Sequence, residues 1–348
     1  MRIETMGLAA LVLLAGSTSF SSLSLAQDSV TVVSFGGDYQ AAERQAMYAP
    51  TAEKLGITIN EDSLTGIADV RLQVQGGATS WDIVELGRQY CLSDEAETLF
   101  EPLDFSLIPN AADLGEGTSG ERWVLGPVYY SYVLAWSTKA YGDNPPQNWA
   151  DFFDTEKFPG KRALYAQPRF MLELALRGDG VPREDVYPID LERALDKIRS
   201  IKDDVAVFYT SHGQSVQLIK DGEVDLLVMG DGRAVAAQKD GADVQFTYND
   251  GIIDAGCLAI PKGAPNKELA MKVINEFLAP DIQANIPAAF HYGPVNPKAY
   301  ETGKITPEVA ASLNSSPDNI SRQLVLDSAW WAENESDVQL EWDGMLQE

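Results

Sequence analysis

The chain has 348 residues, with 52 acidic against 26 basic side chains and a net charge of −26. Such a surface repels phosphate, which argues against a nucleic-acid-binding role, and two cysteines are too few for a disulfide-built scaffold. The acidity suits either the steering of cationic ligands or a solvated surface in salty water.

Residues 1–26 read as a secretory signal peptide. Arg2 is followed by the apolar run Gly7–Gly16, and Ser24–Ala26 offers small side chains at a cleavage position. A periplasmic destination follows, and no cysteine stands after the cleavage point to carry a lipid. The remainder is longer than one core usually grows, about 250–300 residues, so two domains are expected. In chain order, Val30–Phe35 reads as a strand, Tyr39–Leu55 as a helix, Ile57–Asp62 as a strand, Gly66–Gln75 as a helix and Trp81–Leu86 as a buried strand. A β-rich passage, Gly126–Thr138, leads to a second series. Its strands are Lys161–Ala166, Val205–Thr210 and Val224–Met229, with helices over Asp190–Ile201 and Gly213–Gly222. Ala255–Pro261 is a further strand, followed by an amphipathic helix over Asn266–Ala279. Strands alternating with helices imply mostly parallel sheets, in which ligands sit beyond the carboxyl ends of the strands. Two such series joined by two strand passages describe an α/β protein of two hinged lobes, 28–135 with 257–307 and 136–256 with 308–348.

The tools of catalysis are missing from this pattern. His212 and His291 are the only histidines, and no H-E-x-x-H, G-x-S-x-G or C-x-x-C occurs. The turn Ser34-Phe35-Gly36-Gly37-Asp38-Tyr39 lacks the further glycine and the Lys-Ser/Thr of phosphate loops. A helix starting near Gly37 and Asp38 aims free N–H groups at the crevice, where a carboxylate fits as well as a phosphate. The alternative is a tight turn in which Asp38 merely caps the helix. Cys91 and Cys257 are read as small core residues, with one pairing open to them in an oxidising compartment. Arg88 and Tyr90 follow the Trp81–Leu86 strand at the expected cleft edge. His212 follows the Val205–Thr210 strand, between the candidate helix caps Ser211 and Ser215. In Tyr129–Tyr132, alternate side chains face opposite sides of a strand, so at most one or two reach a ligand.

Four separated segments, VDLLVMGDGRA, CLAIPKGAPNKELAMKVINEFLAPDIQANI, YGPVNPKA and AWWAENESDVQLEWDGML, resemble the spermidine/putrescine-binding-protein family. The S-[WF]-G-G-x-Y pattern near the start is similar to a large subgroup with less uniform ligands. The resemblance implies a two-lobed type II periplasmic-binding-protein fold that closes by a hinge motion. It also implies a monomer without cofactor, metal or nucleic-acid partner, which delivers its ligand to a membrane ABC permease. Against the aromatic and acidic cage of the polyamine binders, Gly36 stands for a Trp while Asp38 keeps the acid. Phe170 stands for a Glu, Gly230 for a Trp, Arg233 for a Ser, Asp254 for a Trp and Gly256 for an Asp. Tyr292 matches, and Trp330 and Trp331 lie where an aromatic and a polar ligand residue are expected. Arg233 offers a fork for a carboxylate and Asp254 an acceptor for an ammonium, as in the 4-aminobutyrate binder of the same family. The expected ligand is therefore a 4-aminobutyrate-like zwitterion, with Tyr292 and Trp330 or Trp331 along its apolar middle. Three alternatives stand beside it: a polyamine held by Asp38, Asp254 and a tryptophan; ferric iron held by Tyr129 and Tyr130; and a hydrolase or lyase on a similar scaffold.

Overall fold

The computed structural model describes residues 28–348, so the expected signal peptide lies outside the described residues. Ser29–Ser34 buries Val30, Val32 and Val33 and pairs in parallel with Thr58–Ser63 on one side and Ile83–Gly87 on the other. In the second lobe Arg162–Tyr165 lies parallel between Val205–Tyr209 and Leu226–Gly230. In Ile83–Gly87 and Leu226–Gly230 apolar residues buried on both faces read as continuous runs, whereas the edge strands Thr58–Ser63 and Val205–Tyr209 are only partly buried.

Two long strands, Trp123–Ser137 and Val244–Ala259, run antiparallel to each other and join the two halves into one eleven-stranded sheet. Their pairing runs from Trp123 opposite Ala259 to Ser137 opposite Val244, with irregularities between Leu125 and Tyr129 and between Tyr132 and Leu134. The hydrophobic cores change over at the same place, between Val128 and Tyr132 on one strand and between Ile252 and Ala255 on the other. The first lobe packs around Met47, Ile83, Phe100 and Phe277, the second around Trp149, Phe152, Met171 and Leu172. The local turn signal Asn249-Asp250-Gly251 does not end the second strand. Asp250 takes a left-handed φ of 57° and the strand continues, so Asp254 sits within a strand and not on a loop.

Two helices not marked in the sequence reading complete the second lobe. Pro168–Gly178 buries Met171, Leu172, Leu174 and Ala175, and Ser328–Gln347 buries Trp331, Val338, Trp342 and Met345 along one face. Trp331 is therefore a core residue, its indole N–H donating to Glu173 Oε1 at 2.6 Å. Cys91 and Cys257 are both buried in the first-lobe core, and the one pairing open to them is made: they form a disulfide. Cys257 pairs with Leu86 in the sheet, and the short helix Arg88–Leu92 turns Cys91 back over it. No helix among the described residues is long and apolar enough to cross a membrane.

Candidate functional site

The carboxyl ends of the strands from both lobes open into a cleft of about 870 Å³. The first lobe supplies Phe35 to Tyr39 from the turn after Ser29–Ser34, and Glu85, Gly87, Gln89 and Tyr90 from the end of Ile83–Gly87. The second supplies Tyr165, Arg169, Phe170, His212, Asp231 and Arg233, and the crossing region adds Tyr130, Tyr132, Gly256 and Tyr292. Of the residues expected at the site, Gly36, Gly37, Asp38, Tyr90, His212, Arg233 and Tyr292 are thus brought together.

Gly36 and Gly37 make the turn with φ of 70° and 60°, values that glycine alone adopts freely. The Gly36 N–H, however, is taken by the Gln40 side-chain oxygen at 3.0 Å. The helix start therefore offers its later amides and the exposed Asp38 to the cleft, and not Gly36.

Arg233 sits in the first turn of helix Asp231–Lys239, which begins where strand Leu226–Gly230 ends. Asp231 anchors that turn: its carboxylate accepts from Ser131 N at 3.1 Å, Tyr248 Oη at 3.2 Å and Asn314 Nδ2 at 2.8 Å. Burial raises its pKa to about 7, against these hydrogen bonds. Arg233 has no ion-pair partner among the described residues and lines the cleft. Its charge and, more strongly, burial lower His212 to about 4, so that imidazole is neutral at pH 7.

Asp254 is occupied elsewhere. Its carboxylate is fully buried and off the cleft, held by Arg169 Nη2, Arg88 Nη2 at 3.4 Å, Tyr130 Oη at 3.3 Å and Ser328 Oγ at 3.3 Å. A charge enclosed by two guanidinium groups has no face left for a ligand amine. Arg88 likewise turns inward, donating to Leu326 O at 3.0 Å, and does not line the cleft. Trp330 packs on Tyr187 and Trp331, away from the cavity. Tyr129 faces away from Tyr130, so the two phenols do not converge on one ion.

Three cleft residues, Arg169, Tyr165 and Glu85, carried no notice in the sequence reading. Arg169 reaches from the start of helix Pro168–Gly178 to Gln89 Oε1 of the first lobe at 2.7 Å and to Asp254. It thereby spans the hinge. Its neighbour Phe170 has a φ of 73° and stacks on Tyr132 with ring centroids 4.2 Å apart. Tyr165 and His212 extend that aromatic wall at 5.3 Å. The available signal for Arg169 was its place just beyond strand Lys161–Ala166. For Glu85 it was an acidic residue inside an otherwise apolar buried strand.

Residues 46–312 match the family described as bacterial extracellular solute-binding protein. The gamma-aminobutyric acid-binding protein of Pseudomonas aeruginosa is 32% identical over 329 residues, 92% of this chain and 92% of that one. An ABC transporter substrate-binding protein from Bradyrhizobium japonicum USDA 110 superposes with a TM-score of 0.88 at 44% identity, covering 92% of this chain and 99% of the other. The GABA receptor Atu4243 superposes with a TM-score of 0.83 at 31% identity, covering 91% and 97%. These relatives are solute-binding proteins of ABC transporters and not enzymes, and they share the two-lobed type II fold. With the match spanning most of its length, the chain belongs to the bacterial extracellular solute-binding proteins, the substrate-capturing partners of ABC permeases.

Proposed function

We propose that this protein captures a 4-aminobutyrate-like zwitterion between lobes 28–135 with 257–307 and 136–256 with 308–348, in the periplasm and as a monomer, after removal of residues 1–26. The observation that carries the ligand class is Arg233: an unpaired guanidinium lining an aromatic cleft, on a helix turn anchored by Asp231. A planar cation in such a place is suited to a carboxylate and repels a dication. The names of two relatives, a gamma-aminobutyric acid-binding protein and a GABA receptor, support the same class. Asp254 serves this reading indirectly, by holding Arg169 across the hinge.

The test is a thermal-shift screen of the purified protein against 4-aminobutyrate, other amino acids, betaines, putrescine and spermidine. A ligand that binds only the folded state, at about a hundred times its Kd, adds about 2.7 kcal/mol to stability. A rise confined to zwitterions is the expected result. A rise with diamines alone overturns the carboxylate reading and returns the polyamine one.

A further inference from the structure

We infer that Glu85 is the first-lobe counter-ion for the ligand's amine, facing Arg233 across the cleft; this rests on the zwitterion reading above and locates its second pole. Glu85 lies in strand Ile83–Gly87 among buried apolar neighbours, is 4% exposed and lines the cavity. A carboxylate in such a place is costly unless a cation meets it, and no Lys or Arg pairs with it among the described residues. Its partners are neutral donors, Tyr39 Oη at 2.7 Å and Ser34 Oγ at 2.8 Å.

The same Ser34 hydroxyl lies 2.6 Å from Glu43 Oε2, which also accepts from Tyr48 Oη at 2.9 Å. One hydroxyl hydrogen cannot serve two carboxylates, so one carboxyl carries a proton. Glu43 is the buried member without access to the cleft, and burial followed by the charge of Glu85 raises it well above the usual carboxylate range. Burial raises Glu85 too, but hydrogen bonds from Glu43, Tyr39 and Ser34 oppose that rise, so Glu43 holds the proton and Glu85 keeps the charge beside the cavity. Gly256 lines the cavity beside this carboxylate: a Cβ there would stand 3.7 Å from Glu85 Oε1 but only 2.9 Å from the carbonyl oxygens of Gly126 and Leu86, so glycine alone leaves this wall of the cavity in place.

Two rings separate this pole from Arg233. Tyr39, bonded to Glu85, meets Tyr292 edge-on with centroids 6.0 Å apart. Tyr292 in turn lies against Gly232, where a Cβ would come within 2.9 Å of its ring. The next residue is Arg233. An anion, an aromatic stretch and a cation therefore follow one another from lobe to lobe, in the order that an amine, a short carbon chain and a carboxylate require.

The experiment is calorimetric titration of the wild type, Glu85→Gln and Glu85→Asp with 4-aminobutyrate, butyrate and putrescine, each variant checked by its melting curve. The wild type should prefer 4-aminobutyrate to butyrate by about a hundredfold, and Glu85→Gln should cut that preference below about fivefold. Glu85→Asp, which keeps the charge but draws it back, should retain about a tenth of the preference, and it decides the matter if the Gln variant does not fold. A Glu85→Gln protein that keeps the wild-type preference overturns the assignment. Should the wild type take putrescine and no amino acid, the carboxylate reading falls. Glu85 is then still judged by whether Glu85→Gln loses the diamine.

Discussion

Replacing Arg233 with alanine tests the carboxylate end of the ligand. A carboxylate seated on this guanidinium would receive two charge-assisted hydrogen bonds, each contributing about 1.5–3 kcal/mol. Arg233 is only partly buried, so solvent screening takes the lower end of that sum, about 3 kcal/mol. This corresponds to about a 150-fold rise in Kd for 4-aminobutyrate. The helix turn should survive, because Asp231 and not Arg233 ties it to Ser131, Tyr248 and Asn314. Arg233→Lys keeps a point charge without the planar fork and should cost about tenfold. Isothermal calorimetry measures both, with putrescine as the control that neither change should weaken. His212 provides a second readout: with its cationic neighbour gone, its pKa should rise from about 4, though only in part, since burial is the larger cause. Carboxylate binding by Arg233→Ala within about twofold of wild type would refute the reasoning.

Replacing Cys91 and Cys257 together with alanine opens a loop between residues 166 positions apart, worth up to about 5 kcal/mol by chain entropy. A denaturant titration showing a loss below about 1 kcal/mol would contradict a constraint of that size. Gly232→Ala places a methyl carbon within 2.9 Å of the Tyr292 ring, so the lobes must part or the ring must turn. A roughly tenfold loss of ligand affinity is expected, and unchanged affinity would show the contact to be dispensable. Asp231 sets a pH dependence. Its folded pKa of about 7 lies above the ordinary 3.8, so the native state retains a proton that the unfolded chain has released. Its stabilising contribution is therefore greatest at low pH, falls across about pH 4–7 and is gone above that window. Asp231→Asn should flatten the decline of melting temperature over that range. An unaltered slope would mean that Asp231 is ionised throughout it.

The sequence by itself determined the alternation of strands and helices, the two lobes and the strand ends that line the cleft. Each of these depends on a local period or on a rule of sheet geometry. Arg233 was marked by the family resemblance, where it stands for a Ser, and its place three residues beyond strand Leu226–Gly230 puts it at the cleft edge. Asp254 was misread because its role depends on Arg88 and Arg169, residues remote in the chain that meet it only after the lobes form. The disulfide depended in the same way on a sheet register that brings Cys257 opposite Leu86. Trp331 showed the same ambiguity from the apolar side, since an aromatic on a helix suits a cleft and a core equally until its neighbour Glu173 is known. Glu85 was visible as a charge inside an apolar strand, but its meaning required Glu43, Ser34 and Tyr39 around it. Local patterns specify elements because they act over a few residues. Only the tertiary structure decides which charges are neutralised internally and which are left for a ligand, because burial and pairing belong to residues far apart in the chain.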